Sequence, residues 1–158
     1  MKKLFKIASA LFLSILIIAG LSACGQKPVS EEERVQAEAV ADNLLEGIEK
    51  RDYDVFSADF DANMLSAMKE NDFRALTELF DETIGAYRSR DLVECRRILN
   101  AGTKLIYLSY SALFEKESGD VTIHLYLSEK DGTFLISGFS YDSPALRATL
   151  TDDEKSGK

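Results

Sequence analysis

"FDETIGAYRSR", residues 80–90, is where the chain changes its hydrophobic period. Before Gly85, apolar side chains recur every three or four positions: Phe73, Leu76, Leu79, Phe80 and Ile84. That spacing lays one stripe along a helix. After Gly85 the period moves towards two, the repeat of a strand. A glycine suits the boundary, because helices commonly stop on a residue with a left-handed backbone. Helices therefore lie upstream of residue 85 and strands downstream. Helices grouped ahead of hairpin-linked strands predict α+β, not alternating α/β.

Working back from this junction, Asn71 or Asp72 is placed to cap the helix that carries Phe73 to Ile84. A second helical pattern runs through Phe56, Phe60, Met64 and Met68, and "KRDYD" separates it from a first. The first opens on Ser30-Glu31-Glu32-Glu33, a capping box in which Ser accepts from first-turn amides and Glu answers three residues on. Val35, Ala37, Val40, Ala41, Leu44, Leu45 and Ile48 follow at helical spacing. Three helices are expected.

Working forward, four strands are expected over 86–99, 103–116, 121–128 and 133–142. "ESGD" and "EKDG" make the later turns, the second through an Asp-Gly pair. Gly138 marks a bulge or bend, and Pro144 ends the sheet. The expected architecture is three N-terminal helices packed on a curved four-stranded antiparallel sheet. Parity sets its faces. Val121, Ile123, Leu125 and Leu127 should meet the helices, with Ile106, Leu108, Tyr110, Ala112 and Phe114 beside them. Leu105, Tyr107, Ser109, Ser111, Thr122, His124, Tyr126 and Ser128 then point outward.

The N-terminus carries its own signal. Lys2, Lys3 and Lys6 precede an uncharged apolar run from Ile7 to Leu21. The run is shorter than the ~20 residues of a membrane span. A basic start and short apolar core describe a secretory leader. It ends in Leu21-Ser22-Ala23-Cys24, which resembles a bacterial lipobox: an aliphatic residue, two small residues, then cysteine. The resemblance implies cleavage before Cys24, lipid on its thiol, and a place on the extracytoplasmic face of a bacterial membrane. Residues 1–23 are then the leader and 24–29 a lipidated start and tether. Those six residues extend at most about 20 Å, so the domain sits close to the headgroups.

Loss of the three leader lysines leaves 16 basic residues against 27 acidic ones. Such an acidic domain does not bind nucleic acid by neutralising phosphates. Cys95 is left without a second cysteine for a disulfide, and it reads as a small packed residue, not a nucleophile. The polar tail, 146–158, has little to bury.

Residues 30–145 also resemble a small family of bacterial and archaeal lipoproteins. Arg51-Asp52-Tyr53, Gly85-Ala86-Tyr87 and Ile136-Ser137-Gly138-Phe139 carry the likeness. The family has a domain of unknown function with the cystatin-like cone fold of the nuclear-transport-factor-2-like superfamily. The resemblance implies that fold and brings no catalytic residues.

Sequence offers little chemistry. One histidine, one spare cysteine and scattered carboxylates give no metal-ligand spacing. Neither a phosphate loop nor a nucleophile elbow occurs, so no cofactor, metal or catalytic set is expected. By analogy with cone-fold isomerases and dehydratases, an enzyme would use Tyr107, Tyr110, His124, Tyr126 or Asp142, but parity turns His124 away from the helices. The favoured expectation is a lipid-anchored, non-enzymatic module binding a small apolar ligand or a protein. Its interaction patch would be Tyr107, Ser109, Thr122, His124 and Tyr126, engaging a second copy or an envelope protein. The alternatives are a pocket enzyme of isomerase, dehydratase or hydrolase type, and a structural or envelope-assembly factor.

Overall fold

The computed structural model describes residues 27–149; the leader, the lipobox with Cys24 and the end of the tail lie outside these residues. Helix α1 spans Glu31–Lys50. Ser30 caps it as expected: its Oγ accepts the Glu33 N–H, and the Glu33 carboxylate accepts the Ser30 N–H at 2.8 Å. The helix ends on Arg51, which takes the left-handed conformation (φ 55°) and donates its N–H to the Ile48 carbonyl. Ala37, Val40, Ala41, Leu44, Leu45 and Ile48 form its buried stripe. Gly47 is buried with them, where α1 crosses the next helix.

The second helical pattern breaks in two, so four helices precede the sheet, not three. They are α2 (Tyr53–Ser57), α3 (Ala62–Ala67) and α4 (Glu70–Glu82) after α1. Asp52 and Asp61 each accept a backbone N–H three residues on, starting α2 and α3 separately. Between them a turn brings the chain against the sheet: Ile136 donates to the Asp59 carbonyl at 2.7 Å, and Asp61 donates to the Ile136 carbonyl at 3.0 Å. Helix α4 begins before the expected cap. Asp72 sits in its first turn and accepts the Lys69 N–H at 2.9 Å. Gly85 (φ 78°) turns the chain out of α4, its N–H on the Phe80 carbonyl.

Strands β1 (Tyr87–Asn100), β2 (Thr103–Phe114), β3 (Val121–Lys130) and β4 (Thr133–Asp142) form one antiparallel sheet in sequence order. Asp131-Gly132 turns β3 into β4 with both residues left-handed, and Ala101-Gly102 does the same between β1 and β2. The bulge expected near Gly138 is present: Tyr126 pairs with Gly138 and Leu127 with Ile136, leaving Ser137 unmatched.

The core lies between the helices and one face of the sheet. Leu108, Ala112, Val121, Ile123, Leu125, Leu127 and Ile136 are almost wholly buried there, against Leu44, Phe56 and Ile84. Parity assigned this face correctly on β2 and β3. Residues 144–149 are helical, running into the stretch from 146 where the sequence suggested only a polar tail, and Leu146 joins the core. Ser143 starts this turn by accepting the Leu146 N–H.

Candidate functional site

The outer face of the sheet gathers most of the patch residues. Tyr107 pairs directly with Tyr126, and Ser109 with His124; Thr122 lies one row further, opposite Ser111. On β1, Arg96 faces Tyr107 and Glu94 faces Ser109. The side chains interlock across these rows. The Tyr107 hydroxyl is 2.7 Å from His124 Nδ1, and their rings stack at 5.8 Å. The Tyr126 ring stands 5.4 Å from that of Tyr107. The Arg96 guanidinium sits 5.0 Å over the Tyr107 ring and is paired with Glu94 at 2.8 Å. A cation over an aromatic face is attracted by the ring's negative quadrupole. Sequence missed Arg96 and Glu94, because β1 has a bulge at Val93 that shifts its parity.

This face is drier than a solvated sheet. Tyr107, His124 and Tyr126 are half-buried, and Ser109 and Leu105 are buried outright although they point outward.

Below Tyr126 the same face opens into a cleft of about 430 Å³. Leu105 and Tyr126 line its sheet side, Asn100 and Ala101 come from the β1–β2 turn, and Asp61 and Asn63 come from the start of α3. Ser137 Oγ donates to Asp61 Oδ2 at 2.8 Å, tying the bulge of β4 to the α3 cap.

The helix-facing side is different. Tyr110 and Tyr141 lie in one row across β2, β3 and β4, through Ile123. Both hydroxyls are buried without a protein partner. Burial pushes both phenols well above their ordinary range. Arg90 lies 4.2 Å over the Tyr110 ring and bonds Asp42 of α1 at 2.6 Å. Further along β1, Arg97 pairs with Glu33. The Ser30 backbone N–H, the Arg97 guanidinium and the Ser30 hydroxyl hold the Glu33 carboxyl down at about 2. The inner face of β1 is thus clamped to the acidic side of α1 by two arginines. Cys95 lies between them, half-buried, its thiol raised by desolvation and therefore poorly nucleophilic.

The enzyme set is divided by the sheet. Tyr110 faces the helices, whereas Tyr107, His124 and Tyr126 face outward, and exposed Asp142 pairs with Arg147. Among the described residues no group of acidic, histidine and cysteine side chains is arranged to hold a metal. Among them, too, no helix is long and apolar enough to cross a membrane. The chain is a mixed α+β protein with several N-terminal helices on a four-stranded antiparallel sheet. No protein-family model matches it, and no curated protein matches it significantly.

Proposed function

We propose that this chain is a lipid-anchored, non-enzymatic binding module on the extracytoplasmic face of a bacterial membrane. It has the cystatin-like cone fold and engages a protein through the outer face of its sheet. The observation that carries this reading is the interlocked Arg96–Tyr107–His124–Tyr126 group, whose rings and hydrogen bond hold it in one arrangement. Tyrosine and arginine are enriched where proteins meet, and a group fixed in advance loses less entropy on binding. Packed side chains such as Leu108, Ile123 and Phe56 occupy the space between helices and sheet, which counts against an apolar ligand there.

The patch carries one carboxylate and one guanidinium, Glu94 and Arg96, paired within the molecule; two copies related by a two-fold axis would bring each charge towards its opposite. A second copy is therefore the partner to test. Tyr107→Glu combined with Tyr126→Glu should abolish self-association of the full chain in sedimentation and in-cell cross-linking, while far-ultraviolet circular dichroism stays native. A folded double variant that associates like wild type would refute the reading.

A further inference from the structure

The cleft beside Tyr126 has a chemistry of its own. Its volume, 430 Å³, lies within the range of small-molecule sites, at the lower end. Asn63, Asn100, Thr103, Ser128 and Ser137 line it. Amide and hydroxyl side chains both donate and accept hydrogen bonds, as sugar hydroxyls do. Lysine, arginine and histidine are all missing from its lining, so phosphate or carboxylate ligands find no counter-charge. The apolar part is concentrated in the Leu105 floor and the Tyr126 ring. Gly138 lies opposite Tyr126, and a Cβ built there would come within 3.7 Å of the Tyr126 ring carbon Cδ2. A side chain at this position would lie against that flank of the ring. An aromatic ring bordered by amide and hydroxyl groups, with Asp61 the one charged side chain among them, matches a pyranose, which has an apolar C–H face and a polar rim.

Hydrolysis does not follow from binding. Glycoside cleavage ordinarily needs a pair of carboxyl groups flanking the bond. Asp61 is the one carboxylate in the lining, and it already accepts the Met64 N–H and the Ser137 hydroxyl.

We propose that the cleft between the β1–β2 turn, Tyr126 and the start of α3 is a binding site for a neutral saccharide. The site shares Tyr126 with the self-association patch, but Arg96 and His124 do not line it, so an Arg96 variant separates the two readings.

The test is saturation-transfer NMR and titration of the full-length chain in a detergent without a sugar headgroup. The probes are N,N′-diacetylchitobiose, cellobiose and maltose. At least one should bind saturably. Tyr126→Ala and Gly138→Leu should each weaken it about tenfold or more. Gly138 has no left-handed backbone and a Cβ there meets the Tyr126 ring at an ordinary 3.7 Å, so the leucine side chain is directed at the flank of the ring. Asn63→Ala with Asn100→Ala, both at exposed positions, should also weaken binding with no change in thermal midpoint. Arg96→Glu should leave saccharide binding unchanged while reducing self-association. Absence of binding by all three sugars would overturn the proposal. So would full affinity in folded Gly138→Leu and Asn63→Ala/Asn100→Ala chains.

Discussion

Replacing Gly47 by alanine should destabilise the protein, against the direction that helix propensity alone indicates. Gly47 lies inside α1, where alanine is normally favoured by about 1 kcal/mol. A Cβ at this position would stand 2.3 Å from the Phe56 nitrogen, 2.4 Å from its Cα and 2.6 Å from its Cβ. Two of those atoms are backbone, so no rotamer change relieves the overlap. The start of α2 would have to move away from α1, loosening Phe56 from Phe60 and Phe73. Overpacking a closed contact costs about 1–3 kcal/mol, and more where backbone shifts. The net loss should be about 2 kcal/mol once the propensity gain is subtracted. In thermal unfolding this lowers the midpoint by roughly 5–10 °C. Urea titration should show a lower midpoint with an unchanged slope. Gly119→Ala is the control: nothing lies within 4 Å of its Cβ, and stability should hold within about 0.5 kcal/mol. A Gly47→Ala chain as stable as wild type would refute the close crossing of α1 and α2.

Acid should weaken the clamp between α1 and β1. The Glu33 carboxyl is held near 2 against an ordinary 4.5, so its contribution is present above about pH 4.5 and disappears as pH falls towards 2. Glu33→Gln should flatten that limb of a midpoint-against-pH curve; an unchanged curve would remove Glu33 from the account. At the alkaline end, Tyr87, Tyr110 and Tyr141 are all raised above 10.0, chiefly by desolvation. Their contribution is complete below pH 10 and declines above it, as the unfolded phenols ionise. Tyrosinate absorbance should show Tyr110 and Tyr141, whose hydroxyls are buried, titrating only with unfolding; their ionisation at an ordinary pH in the native state would contradict that burial. Cys24→Ala should abolish fatty-acid labelling and leave the leader uncut, and equal labelling of variant and wild type would dispose of the lipid anchor.

The frame of this fold was legible because two periods meet at Gly85. Alternation along β2 and β3 separated Leu108 and Ile123 from Tyr107 and His124 without knowledge of any partner. Strand β1 was harder. Its bulge at Val93 breaks alternation, and its inward side carries Arg90 and Arg97, which a hydrophobic pattern does not register. The second helix was over-read: Phe56, Phe60, Met64 and Met68 keep helical spacing although Asp61 begins a new helix between them. Leu146 escaped notice because a single apolar residue after a proline has no period. The patch on β2 and β3 followed from parity, but the cleft did not. Its walls come from four separate stretches, around residues 61, 100, 126 and 138, and only folding brings those together.

The chain between α2 and α3 crosses the outer side of β4 and occupies the backbone groups of Ile136. One border of the sheet is thereby interrupted, while among the described residues no strand pairs with β1 at the other. Exposed Arg88, Asp91 and Glu94 discourage casual pairing along that open border. If two molecules do join strand to strand there, each uses up its one uninterrupted border. The ladder then has nowhere to continue, and growth stops at a pair in place of a fibre. The link that ties two short helices to the sheet is, in this sense, also a chain terminator for assembly.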